Sequence, residues 1–239
     1  MKPLLFFSLI IVLCAAIPQE KREFSKEELL GKIKPSEHPD FELIAAEFCT
    51  KTDMYLRKEA YSAFKRMYFE ASKCGIDLKI ISATRNFDHQ KRIWNDKWLK
   101  FNNEENKDKR ALYILRYSSM PGSSRHHWGT DIDINALNDK YFQSSTGKKE
   151  YEWLCNHAAQ YGFYQPYTSK KNGRKGYEEE KWHWTYLPLS ELMLDQYNAK
   201  LKYEDISGFN GSETAKNLAV FEHYVNGVEL PKLKSPAQN

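Results

Sequence analysis

The segment SRHHWGTDID, residues 124–133, places two adjacent histidines and two aspartates around a single glycine. From residue 131 to residue 134 the sequence alternates Asp and Ile, which is typical of a strand with one polar and one buried face. Asp131 and Asp133 then share the polar face, and Gly129 permits a sharp turn ahead of the strand. Histidine and carboxylate are good zinc ligands, but the spacing does not decide which histidine or which aspartate binds.

A second group of candidate ligands lies downstream, in the segment EKWHW at residues 180–184. On a strand, Trp182 and Trp184 lie on one face and His183 on the other. Glu180 lies three residues before His183, a spacing that can place its carboxylate beside a metal-bound water without making it a ligand. Hydrolytic zinc sites need three protein ligands, an open fourth position and a nearby base, and the two segments together offer these groups. Taken separately, each segment has a plain alternative, namely an aromatic core strand with a buried histidine.

The rest of the chain mixes helices and strands without regular alternation. Periodicity predicts helices over about 55–74, 88–101, 149–161, 190–201 and 212–226, strands over about 78–82 and 182–187, and a polar surface excursion at 102–110. This order favours an α+β fold over a doubly wound parallel sheet.

Composition is that of a folded protein. Of the 239 residues, 41% are hydrophobic, 28% charged and 14% aromatic, which is enough for a domain with a proper core and unlike a disordered chain. The net charge of +4 comes without a dense basic run. We therefore expect no nucleic-acid partner.

The N-terminus has the pattern of an export signal. Lys2 precedes an apolar run that extends from residue 4 to residue 17 and contains Cys14-Ala15-Ala16. We predict a signal peptide at 1–16, because the run is too short for a comfortable membrane span. The mature protein is then exported, to the periplasm or cell envelope, with no stable membrane span. Whether Cys14 carries a lipid anchor stays open.

Two further regions follow the predicted signal. Residues 17–40 are predicted to form a polar leader with a capping box at Ser25 and Glu28, and residues 41–239 a single domain with helices at its C-terminal end. Three cysteines lie beyond the signal, so at most one disulfide can form, and pairing of Cys49 with Cys74 stays open. Cys155 sits at helical spacing with apolar residues and is predicted to be a buried core thiol.

Three short elements, in order, resemble those of the VanY-like zinc D-alanyl-D-alanine carboxypeptidases, a family that includes related L,D-carboxypeptidases. The family pattern Ser-x-His-x-x-Gly-x-x-x-Asp matches Ser124, His126, Gly129 and Asp133, and Glu-x-x-His matches Glu180 and His183. An upstream Ser-x-x-Arg element matches Ser82 and Arg85, followed by Gln90. The resemblance spans roughly Tyr55 to Leu187.

This resemblance implies a fold of the Hedgehog/D,D-peptidase type, in which helices flank a small, mainly antiparallel sheet. It implies that residues 41–239 are a zinc peptidase domain, with Zn2+ held by His126, Asp133 and His183. Glu180 is implied as the general base.

Three further residues are candidates for contacts with the substrate. We expect Arg85 to act in catalysis on the oxyanion or to bind the terminal carboxylate, since a guanidinium can grip a carboxylate with two hydrogen bonds. Ser124 and Gln90 are candidate substrate contacts. Asp131 departs from the family, which often has a small residue there. The sequence leaves open whether this carboxylate orients a ligand or repels an anionic substrate.

The predicted function is zinc-dependent removal of a terminal D-amino acid, D-Ala, from peptidoglycan stem peptides. Alternatives are an L,D-carboxypeptidase or a lytic endopeptidase on the same fold, or a non-catalytic cell-wall-binding module. Retention of Glu180 argues against the last of these, because a binding module has no need of a base.

Overall fold

The computed structural model describes residues 22–232, so the predicted signal at 1–16 lies outside the described residues. The helices are α1 (Lys26–Leu29), α2 (Lys58–Lys73), α3 (Phe87–Lys100), α4 (Lys107–Leu115), α5 (Ser145–His157) and α6 (Leu187–Lys200). The strands are β1 (Phe41–Leu43), β2 (Tyr55–Arg57), β3 (Ile80–Ser82), β4 (Asp131–Ile134), β5 (Phe163–Tyr164) and β6 (His183–Tyr186). Short 3₁₀ turns join many of these elements.

A four-stranded antiparallel sheet in the order β3-β4-β6-β5 carries the motif residues, and β1 and β2 form a separate antiparallel pair. In the central pair, Ile132 lies opposite Trp184 and Asp133 opposite His183. Ile132 and Trp184 are buried in the same apolar core, which leaves Asp133 and His183 on the other face. The α+β fold is confirmed, and so is the alternation within β4 and β6. Trp182, which the sequence predicts to share a strand face with Trp184, instead precedes β6 and packs in a separate small cluster with Ala136 and Phe142.

Two apolar cores meet at the first motif. One core lies between the sheet and helices α2 and α5, and contains Ile132. The other contains Trp128 with residues of α3, α4, α6 and the C-terminal segment. The backbone between Trp128 and Ile132 therefore crosses from one core to the other, and the motif lies at their junction.

The described part of the predicted leader is packed into the domain. Phe24 is 1% exposed, and its backbone N–H donates to Oε1 of Gln196 on α6 at 2.8 Å. Arg57, which is fully buried, forms ion pairs with Glu28 at 2.8 Å and with Asp40 at 3.0 Å. The capping box predicted for α1 is present. This N-terminal segment is a structural part of the folded unit.

Residues 102–110 lie at the surface as predicted, but the segment is not all loop, because helix α4 begins at Lys107. The side chain of Asn106 caps this helix by accepting a hydrogen bond from the Lys109 N–H at 3.0 Å. Ala111 and Leu115, one turn apart, are fully buried. The apolar residues that anchor α4 lie just beyond the charged stretch.

The C-terminal region also differs from its prediction. In place of one helix over 212–226 there are a 3₁₀ turn at Ser212–Thr214 and a π-helical turn at Phe221–Val225. Between them Ala219 has a φ of 48°, a left-handed conformation that interrupts a helix.

The cysteine residues of the described region are all free thiols. Cys49 is buried, whereas Cys74 and Cys155 are exposed. The prediction that Cys155 is a buried core thiol is therefore wrong. Within residues 22–232, no helix combines the length and the apolar character needed to cross a bilayer.

Candidate active site

Strand pairing and one tight turn bring His126, Asp133 and His183 together. Asp133 on β4 lies opposite His183 on β6, and His126 lies on the 3₁₀ turn Arg125–Trp128 that precedes β4. Gly129 ends this turn with a φ of 73°. A Cβ atom there would lie 2.3 Å from the Phe41 ring, so the turn requires glycine for two reasons.

The three side chains converge on one point. His126 Nε2 lies 3.4 Å from Asp133 Oδ2, and His183 Nδ1 lies 3.2 Å from Asp133 Oδ1. One potential ligand atom from each residue lies within 4.8 Å of the other two, and all three residues are buried. The structure thus brings together the three residues that the resemblance implies as ligands.

The hydrogen bonds of the triad leave ligand atoms available. His126 Nδ1 lies 2.8 Å from the Ala83 carbonyl oxygen, and because a carbonyl only accepts, Nδ1 carries the proton. His126 Nε2 therefore has a free lone pair, and it is buried without a hydrogen bond, as is Asp133 Oδ1. Such orphaned atoms call for a partner. Two imidazoles and one carboxylate fit a divalent ion such as zinc.

Electrostatics favours the ligand forms of two of the three residues. Burial lowers the pKa of His126, and Arg85 lowers it further, so the ring is neutral. Burial acts to raise the pKa of Asp133, but His126 and His183 outweigh this and hold the pKa well below its usual value. Burial acts to lower the pKa of His183, yet the hydrogen bond to Asp131 and the nearby carboxylates of Asp133 and Glu180 raise it well above the usual value. Metal binding requires a neutral His183 ring, so it would release any proton carried by Nδ1.

Glu180 lies beside the triad. Its Oε2 is 3.4 Å from His183 Nδ1, and burial raises the pKa of its carboxyl group. The backbone N–H of Glu180 donates to the Tyr167 carbonyl at 2.9 Å, which fixes the start of the segment. The Glu180 carboxyl group thus lies next to the triad, and the raised direction of its pKa is the one that suits proton transfer near neutral pH.

Arg85 is tied to the first motif through the backbone. Its N–H donates to the His126 carbonyl at 3.1 Å, and its carbonyl accepts from His127 Nδ1 at 2.6 Å. Burial lowers the pKa of His127 to about 3, so this ring is neutral and acts as a structural link. The Arg85 Nε atom is buried without a hydrogen bond. Arg85 therefore lies beside the triad, with a free donor.

Two cavities adjoin the triad. An open cleft of about 650 Å³ is lined by Arg85, His126, Asp133 and Glu180. A smaller cavity of about 20 Å³ lies alongside, and Arg85, His126 and Glu180 border both. The cleft has the size of a small-molecule or peptide site.

The other two candidate substrate contacts differ in position. Ser124 lines the small cavity, and its buried Oγ makes no hydrogen bond. Gln90 is fully buried, lines neither cavity, and donates from Nε2 to the Ser119 carbonyl at 2.8 Å. The structure brings Ser124 to the site and leaves Gln90 behind it, supporting a loop.

Sequence reasoning missed two cations at the site. Lys97 lines the cleft together with His89 and Ile93, the residues that precede it at intervals of four on α3. Burial lowers the pKa of Lys97, and Arg85 lowers it further. Arg125, 1% exposed, borders the small cavity, and its Nη1 makes no hydrogen bond. The i, i+4 spacing of His89, Ile93 and Lys97 on α3 is the sequence signal that could have identified Lys97.

A second cluster of ligand-type side chains, Glu28, His38 and Asp40, lies in the N-terminal segment. Its carboxylates already have cationic partners, because Arg57 pairs with both and Arg22 pairs with Asp40 at 2.7 Å. These ion pairs account for the cluster without a metal.

The sequence profile of the VanY family, described as D-alanyl-D-alanine carboxypeptidase, matches residues 53–189. The protein belongs to this family.

Three similar proteins illustrate the relationship. YodJ of Bacillus subtilis, which is assigned to the carboxypeptidases, is 33% identical over 73% of this chain and 64% of its own length. A D-alanyl-D-alanine carboxypeptidase of Enterococcus faecalis is 27% identical over 54% of this chain and 47% of its own length. The matches thus cover less than two thirds of either relative. The structure of the LD-carboxypeptidase LdcB, described in terms of peptidoglycan recognition, is 27% identical, with a TM-score of 0.52 over 70% of this chain and 80% of LdcB.

Proposed function

We propose that the protein is a zinc-dependent carboxypeptidase that removes a terminal D-amino acid, D-Ala, from peptidoglycan stem peptides. The observation that supports this most is the group of His126, Asp133 and His183, whose ligand atoms lie within 4.8 Å of one another at the edge of a cleft. Glu180 stands 3.4 Å from one of them. Membership of the VanY family supports the reaction and the substrate class.

The residues present are suited to hydrolysis of a peptide bond. Zn2+ bound by the triad would polarise the peptide carbonyl and lower the pKa of water. Glu180 accepts the proton of the attacking water and passes it to the leaving amine, because its carboxylate lies beside the triad and its pKa is raised by burial. A positioned base of this kind contributes about 10²–10⁴-fold in rate.

The small cavity supports cleavage at a chain end. Three donors without partners border it, namely Arg85 Nε, Ser124 Oγ and Arg125 Nη1. Buried donors of this kind suit a carboxylate, and a guanidinium binds it with charge-assisted hydrogen bonds. The volume of this cavity, about 20 Å³, is close to that of one water molecule, so the cavity offers buried donors to an oxygen of a terminal carboxylate and is not a pocket for a whole residue. This favours a carboxypeptidase over a lytic endopeptidase.

A second candidate specificity is L,D-cleavage, that is, removal of D-Ala from a tetrapeptide stem. The similarity to LdcB, an LD-carboxypeptidase, favours it, since the two chains share 27% identity with a TM-score of 0.52. We place the activity outside the cytoplasm, at the cell envelope, where the proposed substrate lies. The signal pattern predicted for 1–16 supports this location.

Mass spectrometry of defined tri-, tetra- and pentapeptide stems tests the function. D,D-cleavage shortens the pentapeptide by one D-Ala, and L,D-cleavage shortens the tetrapeptide. A chelator should abolish either reaction, and added Zn2+ should restore it. Intact peptides after prolonged incubation with zinc-loaded protein would refute the enzyme and support the wall-binding alternative.

A further inference from the structure

Asp131, two residues before the aspartate of the triad, is fully buried and has four hydrogen-bond partners. Its Oδ2 accepts from His183 Nε2 at 2.8 Å and from Arg125 Nε at 3.0 Å. Its Oδ1 accepts from Thr130 Oγ1 at 2.7 Å and from Thr185 Oγ1 at 2.6 Å. These bonds hold the carboxylate in one place and one orientation, behind the ring of His183.

We propose that Asp131 is a positioning residue for the metal site: by holding Nε2 of His183, it directs Nδ1 toward the ion. This inference rests on the proposed function. The two ring nitrogens are not equivalent here, because Nε2 faces Asp131 whereas Nδ1 lies 3.2 Å from Asp133 Oδ1. A carboxylate that accepts the second N–H of a ligand histidine fixes its tautomer and ring orientation, and raises its basicity as a ligand.

Arg125 balances the charge of this carboxylate. The Arg125–Asp131 ion pair has no solvent exposure on either side chain, and Arg125 Nη2 also donates to Thr185 Oγ1 at 2.8 Å. The guanidinium lies over the Trp128 ring, 4.7 Å from its centroid. Because the pair is neutral as a whole, Asp131 adds no net negative charge to the cleft. It therefore orients a ligand without repelling an anionic substrate.

A purely structural role of Asp131 can be distinguished from a role in positioning the His183 ring. The pairing of β4 with β6 places Asp131 opposite Thr185, and the backbone ladder does not depend on either side chain. A carboxylate that only stabilises the strands would affect unfolding and leave metal binding by the folded protein unchanged. Positioning predicts weaker binding by protein that is still folded.

Zinc affinity of the full chain is the test, measured by competition with a chromophoric chelator, so that no peptidase activity is needed. Asp131→Ala should weaken affinity by about 10–100-fold, as outer-shell changes typically do. Asp131→Asn, which keeps an acceptor oxygen, should lose less zinc affinity than Asp131→Ala. Glu150→Gln is the matched control, because Glu150 is a buried carboxylate that bonds the Tyr141 hydroxyl at 2.7 Å and lines neither cavity. It should bind zinc like the wild type.

A spectroscopic signature completes the test. In ¹⁵N-labelled, zinc-loaded wild type, the His183 Nε2–H should give a protected N–H resonance, and this should be lost in Asp131→Ala. If the alanine variant does not fold, the asparagine variant and Thr185→Val, which removes one bond to Asp131, provide the same comparison. Unchanged affinity in folded variants would overturn the inference alone. Wild type that binds no zinc would overturn the proposed function and this inference with it.

Discussion

Asp133 and His183 lie directly opposite each other in the β4–β6 pair, and Asp133 Oδ1 lies 3.2 Å from His183 Nδ1. The strand register therefore brings together two of the three candidate metal ligands. A slip of one residue would place Trp182 or Trp184 opposite Asp133 and turn His183 into the apolar core. Core and site depend on the same alternation, so the packing that buries Trp184 and Ile132 also fixes the ligands.

Replacing Glu180 by Gln should separate metal binding from turnover. The amide keeps the size of the side chain but cannot accept the proton of the attacking water. We expect zinc affinity close to that of the wild type and a fall in kcat of about 10²–10⁴-fold. Zinc titration and stem-peptide cleavage measure the two quantities.

Glu179→Gln provides the control for this substitution, because Glu179 is the adjacent carboxylate and lines neither cavity. It should retain normal kcat. Full activity in Glu180→Gln would remove Glu180 from the mechanism.

Arg85→Lys should weaken recognition of the substrate's terminal carboxylate. Lysine keeps the charge but cannot donate two parallel hydrogen bonds. We expect kcat/KM to fall by about 10–100-fold, in line with about 1.5–3 kcal/mol for a hydrogen bond to a charged group. With a C-terminally amidated peptide, wild type and variant should be nearly equal.

The control for this experiment is Arg92→Lys, an exposed arginine on the same helix as Lys97. It should behave like the wild type on both peptides. If kcat/KM of Arg85→Lys fell equally on the peptide with a free C-terminus and on the amidated peptide, Arg85 would act on the oxyanion and not on the carboxylate.

Glu28 should make stability depend on pH in the acid range. Burial acts to raise the pKa of Glu28, but the hydrogen bond from Arg57 outweighs it and the folded pKa is lowered. The contribution is therefore complete above the unfolded pKa, about 4.3, and is lost as pH falls through the folded pKa. At pH 7, Glu28→Gln should cost about 1.5–3 kcal/mol of unfolding free energy.

Urea unfolding at a series of pH values measures this contribution. The difference between wild type and Glu28→Gln should be constant above about pH 5.5 and shrink toward pH 3. Glu37→Gln is a suitable control, since the Glu37 side chain is 68% exposed. A difference that grew on acidification would contradict the assignment.

Gly129→Ala should destabilise the turn that carries His126. The φ of 73° already disfavours alanine, and the added Cβ would lie 2.3 Å from the Phe41 ring. Gly173→Ala is the matched control, because its φ of 86° is similar but no atom lies within 4 Å of the added Cβ. We expect Gly173→Ala to lose about 1 kcal/mol from backbone strain. Gly129→Ala should lose clearly more free energy of unfolding than this, and it should also bind zinc more weakly. Equal losses of stability in the two variants would show that the contact with Phe41 is unimportant.

The sequence predicted those parts of the site whose residues lie close together in the chain. Residues 124–133 carry the turn, the glycine and the strand alternation within one short segment, and family resemblance selected His126 and Asp133 from the possible ligands. Convergence with His183 followed from the same resemblance. The structure agrees, because antiparallel pairing places Asp133 and His183 opposite each other.

The surroundings of the site were less predictable, since they depend on contacts between distant parts of the chain. Thr185, which bonds Asp131, lies on another strand, and nothing near Asp131 in sequence indicates that partner. The anchoring of Phe24 by Gln196 joins residues 172 positions apart. Periodicity describes one element at a time, so it missed both relationships.

The N-terminal segment also bears on where the catalytic unit begins. The Leu29 carbonyl accepts a hydrogen bond from Trp128 Nε1 at 3.2 Å, and Gly31 lies so close to His127 that a Cβ would come within 2.3 Å of its ring. Both partners, His127 and Trp128, belong to the turn that carries His126. A shortened protein that starts at residue 41 would lack both contacts, so we expect the turn that carries His126 to lose part of its support.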